Sequence, residues 1–121
     1  MYLSYSLVAA IALLTVTSSM ARVVGTAYVK PSNPGVNDGF GTAIAVDGDT
    51  MVVGAPRERS SASSVNGNSA DNSRENPGAA YVFVWAGTAW IQEAYLKASN
   101  TGEEDFFGSA VAISGDTIVI G

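Results

Sequence analysis

The distribution of hydrophobic and polar positions predicts short β-strands over most of the chain. Residues 40–46 alternate small and branched apolar side chains, and residues 50–55 form a short apolar run. Residues 79–85 are aromatic and β-branched, and residues 90–97 alternate between two faces. Successive side chains of a strand point to opposite faces, so these patterns favour strands over helices. After residue 22 no segment has the period of a helix.

The segments between the predicted strands have the composition of turns. Asp47-Gly48-Asp49 separates the first two strands, and Asp-Gly favours the positive φ values of hairpin turns. Gly87-Thr88 separates the last two. A long connection rich in Ser and Asn, residues 57–77, lies between the second and third strands. Loops of this length are usually functional or disordered, so we expect a solvated or partner-binding loop.

The N-terminal segment, residues 1–21, has a different pattern. It carries no charged side chain, and its longest apolar run is Leu7–Leu14. A membrane-spanning helix needs about 20 apolar residues, whereas this run has the length of a signal-peptide core. Ser19-Met20-Ala21 places small residues where signal peptidase cleaves. We predict a signal helix removed before Arg22, with an uncleaved anchor or a buried apolar helix as the alternatives.

The main organising feature is an internal repeat at an offset of 67 residues. Residues 28–54 align with residues 95–121 without a gap, and 15 of the 27 positions are identical. Four of the other 12 positions exchange one aliphatic side chain for another, at Val29, Ile44, Val46 and Val53. A repeat of this length is typical of propellers and other repeat arrays, in which each unit is one supersecondary block.

Four antiparallel strands per repeat are typical of a β-propeller blade. We therefore predict an all-β fold over residues 22–121, with about one and a half blades. A strand at 23–30 aligns with the last strand of the unit, a blade spans about 38–98, and a partial blade spans 105–121. Propellers have at least about four blades, so we expect further blades from missing C-terminal sequence.

Two short signatures give the repeat a family resemblance. Phe40-Gly41 is followed 13 residues later by Gly54-Ala55-Pro56, and the second copy has Phe107-Gly108 and reaches Gly121. The sequence resembles the FG-GAP repeat family, best known from the β-propeller of integrin α subunits, and most closely its microbial secreted or surface type. The resemblance implies an extracellular propeller that binds a protein or glycan partner.

The amino-acid composition excludes several kinds of catalytic and binding site. The 121 residues include no Cys and no His, which excludes disulfides, the usual zinc sites, Cys nucleophiles and His-based triads. Six basic residues under a net charge of −5 do not suit phosphate-backbone binding. We therefore expect no cofactor and no nucleic-acid partner, and membrane association only if the N-terminal segment stays uncleaved.

Metal binding is not expected either. The resemblance implies a calcium loop between the first two strands of a blade, but here the connections 47–50 and 114–117 are too short and supply too few carboxylates. In the long loop Asn66, Asn68 and Asp71 offer oxygens, yet only one of them is charged.

Two groups of side chains are candidates for other chemistry. The acidic triplet Glu103-Glu104-Asp105 could hold a carboxylate pair, but the first copy has Val36-Asn37-Asp38. Because only the Asp repeats, we expect it to orient a turn. Four aromatic residues could form a sugar-stacking platform or fill the space between blades: Tyr81, Trp85, Trp90 and Tyr95.

These patterns lead us to expect no catalytic, cofactor-binding or metal-binding residue. The function they favour is a non-catalytic, secreted or cell-surface propeller module for adhesion or recognition. The alternatives are a propeller that is part of, or joined to, a secreted hydrolase, and a purely structural array in a cell envelope. The step from fold to function rests on analogy.

Overall fold

The computed structural model describes the backbone of residues 12–17 and 20–121 and the side chains from residue 27 onward. This part of the chain contains eight β-strands and no α-helix. The strands are β1 (Ala12–Thr17), β2 (Met20–Thr26), β3 (Ala43–Asp47), β4 (Thr50–Ala55), β5 (Ala79–Trp85), β6 (Trp90–Leu96), β7 (Val111–Ser114) and β8 (Thr117–Ile120).

The N-terminal part differs from the predicted signal helix and from the strand predicted at 23–30. β1 and β2 pair as an antiparallel hairpin, and residues 27–30 have no regular structure. Short apolar runs suit strands as well as helices, and Thr15-Val16-Thr17 is β-branched throughout. Residues 1–11 and 18–19 lie outside the described residues, so cleavage of the leader stays a prediction.

The central sheet is the predicted four-stranded unit. Its order is β3-β4-β5-β6, with every neighbouring pair antiparallel. β3 begins at Ala43 rather than at residue 40, because Gly39 and Gly41 have positive φ values of 74° and 92° and keep the chain in a turn. All four predicted strands are otherwise confirmed.

The core lies on both faces of β4 and β5. Val52 and Val53 point to opposite faces and are 0% and 1% exposed. On the face of Val53, its cross-strand partner Tyr81 packs edge-on against Phe40, with ring centroids 5.5 Å apart. The opposite face is covered by β7, which packs against β3 and β4. Burial on both sides explains why β4 is continuously apolar.

The second copy of the repeat folds like the first. β7 and β8 form an antiparallel hairpin in the register of β3 and β4, with Ser114 opposite Thr117 as Asp47 is opposite Thr50. The hairpins also touch at their turns, where the Gly115 N–H donates to Asp47 Oδ2 at 3.0 Å. The repeat is therefore structural as well as sequential.

Candidate functional site

The long connection predicted as a loop is ordered and docked on the blade. Its two ends pair with each other, through Arg74 N–H to Arg59 O at 3.0 Å and Gly78 N–H to Glu58 O at 3.0 Å. Its tip docks on the outer edge of β6, because Asn66 N–H donates to Tyr95 O at 2.7 Å and Tyr95 N–H donates to Asn66 Oδ1 at 2.8 Å. The loop thus covers an edge strand, which blunts edge-to-edge pairing.

Asp71 organises the exposed part of the loop. Its carboxylate accepts hydrogen bonds from the Ser73 N–H and hydroxyl, at 3.0 and 2.7 Å, and from those of Ser61. These bonds, chiefly from Ser73, lower the pKa of Asp71 to about 2. Asn68 Oδ1 instead accepts the Ala70 N–H. Across the described residues, no three acidic side chains come together in a group that could hold a metal ion.

A buried ion pair lies where the loop meets the blade. Lys97 Nζ donates to Glu58 Oε2 at 2.9 Å, and the two side chains are 0% and 1% exposed. Lys97 also donates to Ser60 O at 3.1 Å, while Asn33 Nδ2 donates to Glu58 Oε1 at 3.2 Å. Buried charges require partners of this kind, since an isolated one would carry a large desolvation cost.

Two tyrosines complete this cluster. Tyr81 Oη donates to Asn33 Oδ1 at 2.8 Å, and Tyr95 Oη shares a hydrogen bond with Ser60 Oγ. Burial, reinforced by the negative charge of Glu58, raises the pKa of Tyr81 well above its ordinary value. Burial likewise raises the pKa of Tyr95. We refer to Asn33, Glu58, Ser60, Tyr81, Tyr95 and Lys97 as the buried polar cluster.

Of the four aromatic residues that could form a sugar-stacking platform, two are buried in the core and two lie near the surface. Tyr81 and Tyr95 lie in the core with ring centroids 5.3 Å apart, so neither offers a face to a ligand. Trp85 and Trp90 form a cross-strand pair at the far end of the sheet, with centroids 5.4 Å apart, and both are half-buried. Only the two tryptophans lie near the surface.

The repeated Asp orients a turn in both copies. Asp105 Oδ2 accepts the Gly102 N–H at 2.7 Å, and the carboxylate of Asp38 accepts the equivalent N–H of Gly35. Asp38 is buried, and this burial, together with the charge of Glu58, raises its pKa. Of the neighbouring acids, Glu103 is exposed and Glu104 accepts from Asn76 Nδ2 at 3.2 Å.

An open groove lies between the segment before the blade and β6. Its volume is about 600 Å³, within the range of ligand sites. One wall is fixed by Gln92, which accepts from Ser32 N–H and donates to Ser32 Oγ, each at 2.9 Å. Tyr28 is 81% exposed. We call this the β6 groove; its lining includes Tyr28, Lys30, Pro31, Phe83, Trp90 and Gln92.

Sequence reasoning missed the buried polar cluster. Glu58 stands in a segment with the composition of a polar loop, and Lys97 comes at the end of the alternating pattern of residues 90–97. Repetition of these polar residues gives no signal of burial either, because Lys30 and Asn100, the repeat counterparts of Lys97 and Asn33, are exposed.

The two signatures of the repeat meet in space. Gly41 N–H donates to Gly54 O at 3.0 Å, and Gly108 N–H donates to Gly121 O at 2.8 Å. Between the copies, a Cβ atom on Gly54 would lie 1.9 Å from Gly108 O, so only glycine fits. The Phe107-Gly108 turn of the second copy therefore packs directly against the strand of the first copy that contains Gly54.

A model of the FG-GAP repeat matches residues 23–83 and 90–121. The chain belongs to the FG-GAP repeat family. Such repeats suggest a β-propeller module and are typical of extracellular or surface proteins. No curated protein and no solved structure matches the chain. Within the described residues, no helix has the length and apolar character needed to cross a membrane.

Proposed function

We propose that this FG-GAP chain is a non-catalytic, extracellular propeller module that recognises a glycan or protein partner, with a glycan favoured, at the β6 groove. The observation that carries the proposal is the combination of exposed aromatic surface and polar groups in one groove. Tyr28 and Trp90 line it beside Gln92 and Lys30. Aromatic rings pack against the apolar faces of sugars, while amide and ammonium groups bind hydroxyls.

The non-catalytic part of the proposal is supported by how the acids are used. Glu58 is paired with Lys97, Asp71 holds the loop, and Asp105 accepts a turn N–H. The carboxylates of Asp71 and Asp105 are thus engaged in holding a loop and a turn, and the pairing of Glu58 with Lys97 keeps it from the solvent. A screen for hydrolysis of surface polysaccharides by the full chain is expected to show no turnover, and turnover above a heat-denatured control would contradict this part.

The binding part is tested with a glycan array, followed by calorimetry on the best ligand. Tyr28→Ala is expected to weaken binding about tenfold or more, the effect of losing roughly 1.4 kcal/mol at an aromatic contact. Val36→Ala is the control, because Val36 is 87% exposed but does not line the groove. Array signals at background would exclude a glycan ligand and direct the search to protein partners by pull-down. If Tyr28→Ala binds the ligand with unchanged affinity, the β6 groove is excluded as the binding site.

The extracellular part rests on the apolar run Leu7–Leu14 and on the family's usual location. If the leader is removed as proposed, the exported protein begins at Arg22. N-terminal sequencing of protein recovered from the medium or cell surface checks this. Recovery of the chain only inside cells, or with Met1 intact, would contradict cleavage and export.

A further inference from the structure

The buried polar cluster brings together the buried amine of Lys97, the buried carboxylate of Glu58 and the half-buried carboxamide of Asn33. Lys97 Nζ and Asn33 Nδ2 donate to the two different oxygens of Glu58, at 2.9 and 3.2 Å. Tyr81 Oη donates to the remaining polar atom of the amide, Asn33 Oδ1, at 2.8 Å. The binding function proposed above uses none of these groups.

This arrangement has the parts needed for acyl transfer to an amine. Glu58 Oε2 lies 2.9 Å from Lys97 Nζ and is therefore placed to take a proton from the amine. A neutral buried lysine is a competent nucleophile. The Tyr81 hydroxyl is placed to stabilise negative charge that develops on Asn33 Oδ1 during attack. The Lys97 and Glu58 side chains are almost fully shielded from solvent, which limits competition by water.

We propose that Lys97 and Asn33 join in an intramolecular isopeptide bond, with Glu58 carrying the protons. Lys97 Nζ attacks Asn33 Cγ, so the Nζ–Cγ bond forms and the Cγ–Nδ2 bond breaks. Glu58 accepts a proton from the attacking nitrogen and returns one to Nδ2, which leaves as ammonia. No oxidant or reductant takes part, and the reaction occurs once per chain.

The bond would tie the segment that precedes the blade to the end of its edge strand. Asn33 precedes β3, whereas Lys97 directly follows β6. A covalent link between them closes the whole four-stranded unit into one loop. Such a link constrains the unfolded chain in the way that a disulfide does, in a protein that has no Cys.

Mass spectrometry of the purified, folded full chain tests the proposal. The intact mass is expected to fall short, by one ammonia, of the mass calculated from the sequence that begins at the determined N-terminus. Trypsin cannot cut after an acylated lysine, so the digest should contain residues 23–57 linked to residues 75–121. The linked peptide also distinguishes the isopeptide bond from cyclisation at Asn66-Gly67. Cyclisation there would release ammonia as well, but it would not join two tryptic peptides.

Variants assign the roles. Glu58→Gln retains the shape of the side chain but cannot carry the protons, and is expected to abolish the linked peptide. Tyr81→Phe removes one hydroxyl and is expected to slow formation of the link after refolding. Its fold is followed by circular dichroism, so it remains informative if Glu58→Gln does not fold. Lys30→Arg and Asn100→Ala are matched controls, since they are the exposed repeat counterparts of Lys97 and Asn33, and both should retain the link.

A folded wild-type chain without this loss of one ammonia would overturn the proposal. So would a linked peptide that forms at the same rate in Tyr81→Phe and in a folded Glu58→Gln variant, since the geometry would then not be responsible. Neither result bears on ligand binding at the β6 groove, which is assayed separately.

Discussion

At the scale of single residues, the second copy keeps the backbone of the first where its side chains have changed. Asn37 has a φ of 65°, and its counterpart Glu104 has a φ of 60°. Asn adopts this left-handed conformation more readily than Glu, because its short amide can hydrogen-bond locally. Gly39 and its counterpart Phe106 show the same contrast, with φ values of 74° and 51°. Side-chain divergence has therefore left backbone strain in the second copy.

Glu104→Asn restores the residue of the first copy and is expected to stabilise the protein. Relief of the left-handed strain should contribute about 0.5–1 kcal/mol. Chemical denaturation followed by circular dichroism measures the change. Glu103→Asn is the control, because it removes the same charge at an exposed neighbour without a positive φ. A loss of stability in Glu104→Asn beyond that of the control would show that its bond from Asn76 matters more than the strain.

Asp71 makes the docking of the long loop dependent on pH. Its pKa is about 2 in the folded protein, below the ordinary 3.8, so its bonds to Ser61 and Ser73 stabilise the loop fully above 3.8. That contribution is lost as the pH falls toward about 2. Pepsin cleavage within residues 57–77 is expected to accelerate over this interval. Asp71→Asn should remove the change in rate, and an equal change in wild type and variant would assign it to other groups.

At the scale of elements, strands could be predicted where local pattern and tertiary burial agree. β4 and β5 are apolar runs bounded by turn residues, and both were found within a residue of the expected ends. The N-terminal hairpin could not be predicted, because a short apolar run fits a helix or a strand equally well. Nor could the ion pair of Glu58 and Lys97, since 39 residues separate its partners and only the docked loop brings them together.

The junction between the two copies depends on close backbone approach, which Gly54→Ala tests. The added methyl would lie 1.9 Å from Gly108 O, so the second hairpin must shift, and a loss of about 1–3 kcal/mol is expected. Gly121→Ala is the matched control, because it is the repeat counterpart and the nearest atom to its added methyl is 3.9 Å away. Thermal unfolding of both variants measures the difference. Equal midpoints would mean that the junction is looser than the structure indicates.

At the scale of the whole molecule, the blade and the second hairpin share one core. Ile113 and Ile118 are buried together with Met51 and Val52 of the central sheet. The end of the long loop adds backbone pairing between the units, since Phe107 N–H donates to Pro77 O at 3.0 Å. Elements that share a core and a hydrogen-bond ladder are expected to unfold together.

Ile118→Ala tests this cooperativity, because both tryptophans, Trp85 and Trp90, lie in the blade and report only on it. Ile118 is 3% exposed, so truncation should cost about 2–5 kcal/mol. If the units unfold as one, the tryptophan fluorescence midpoint falls as far as the circular dichroism midpoint. Val119→Ala, one residue along the strand and 56% exposed, should leave both midpoints unchanged. A fluorescence midpoint that stays at the wild-type value in Ile118→Ala would mean that the blade is stable without the hairpin. The FG-GAP contact would then position the second unit rather than complete the fold of the first.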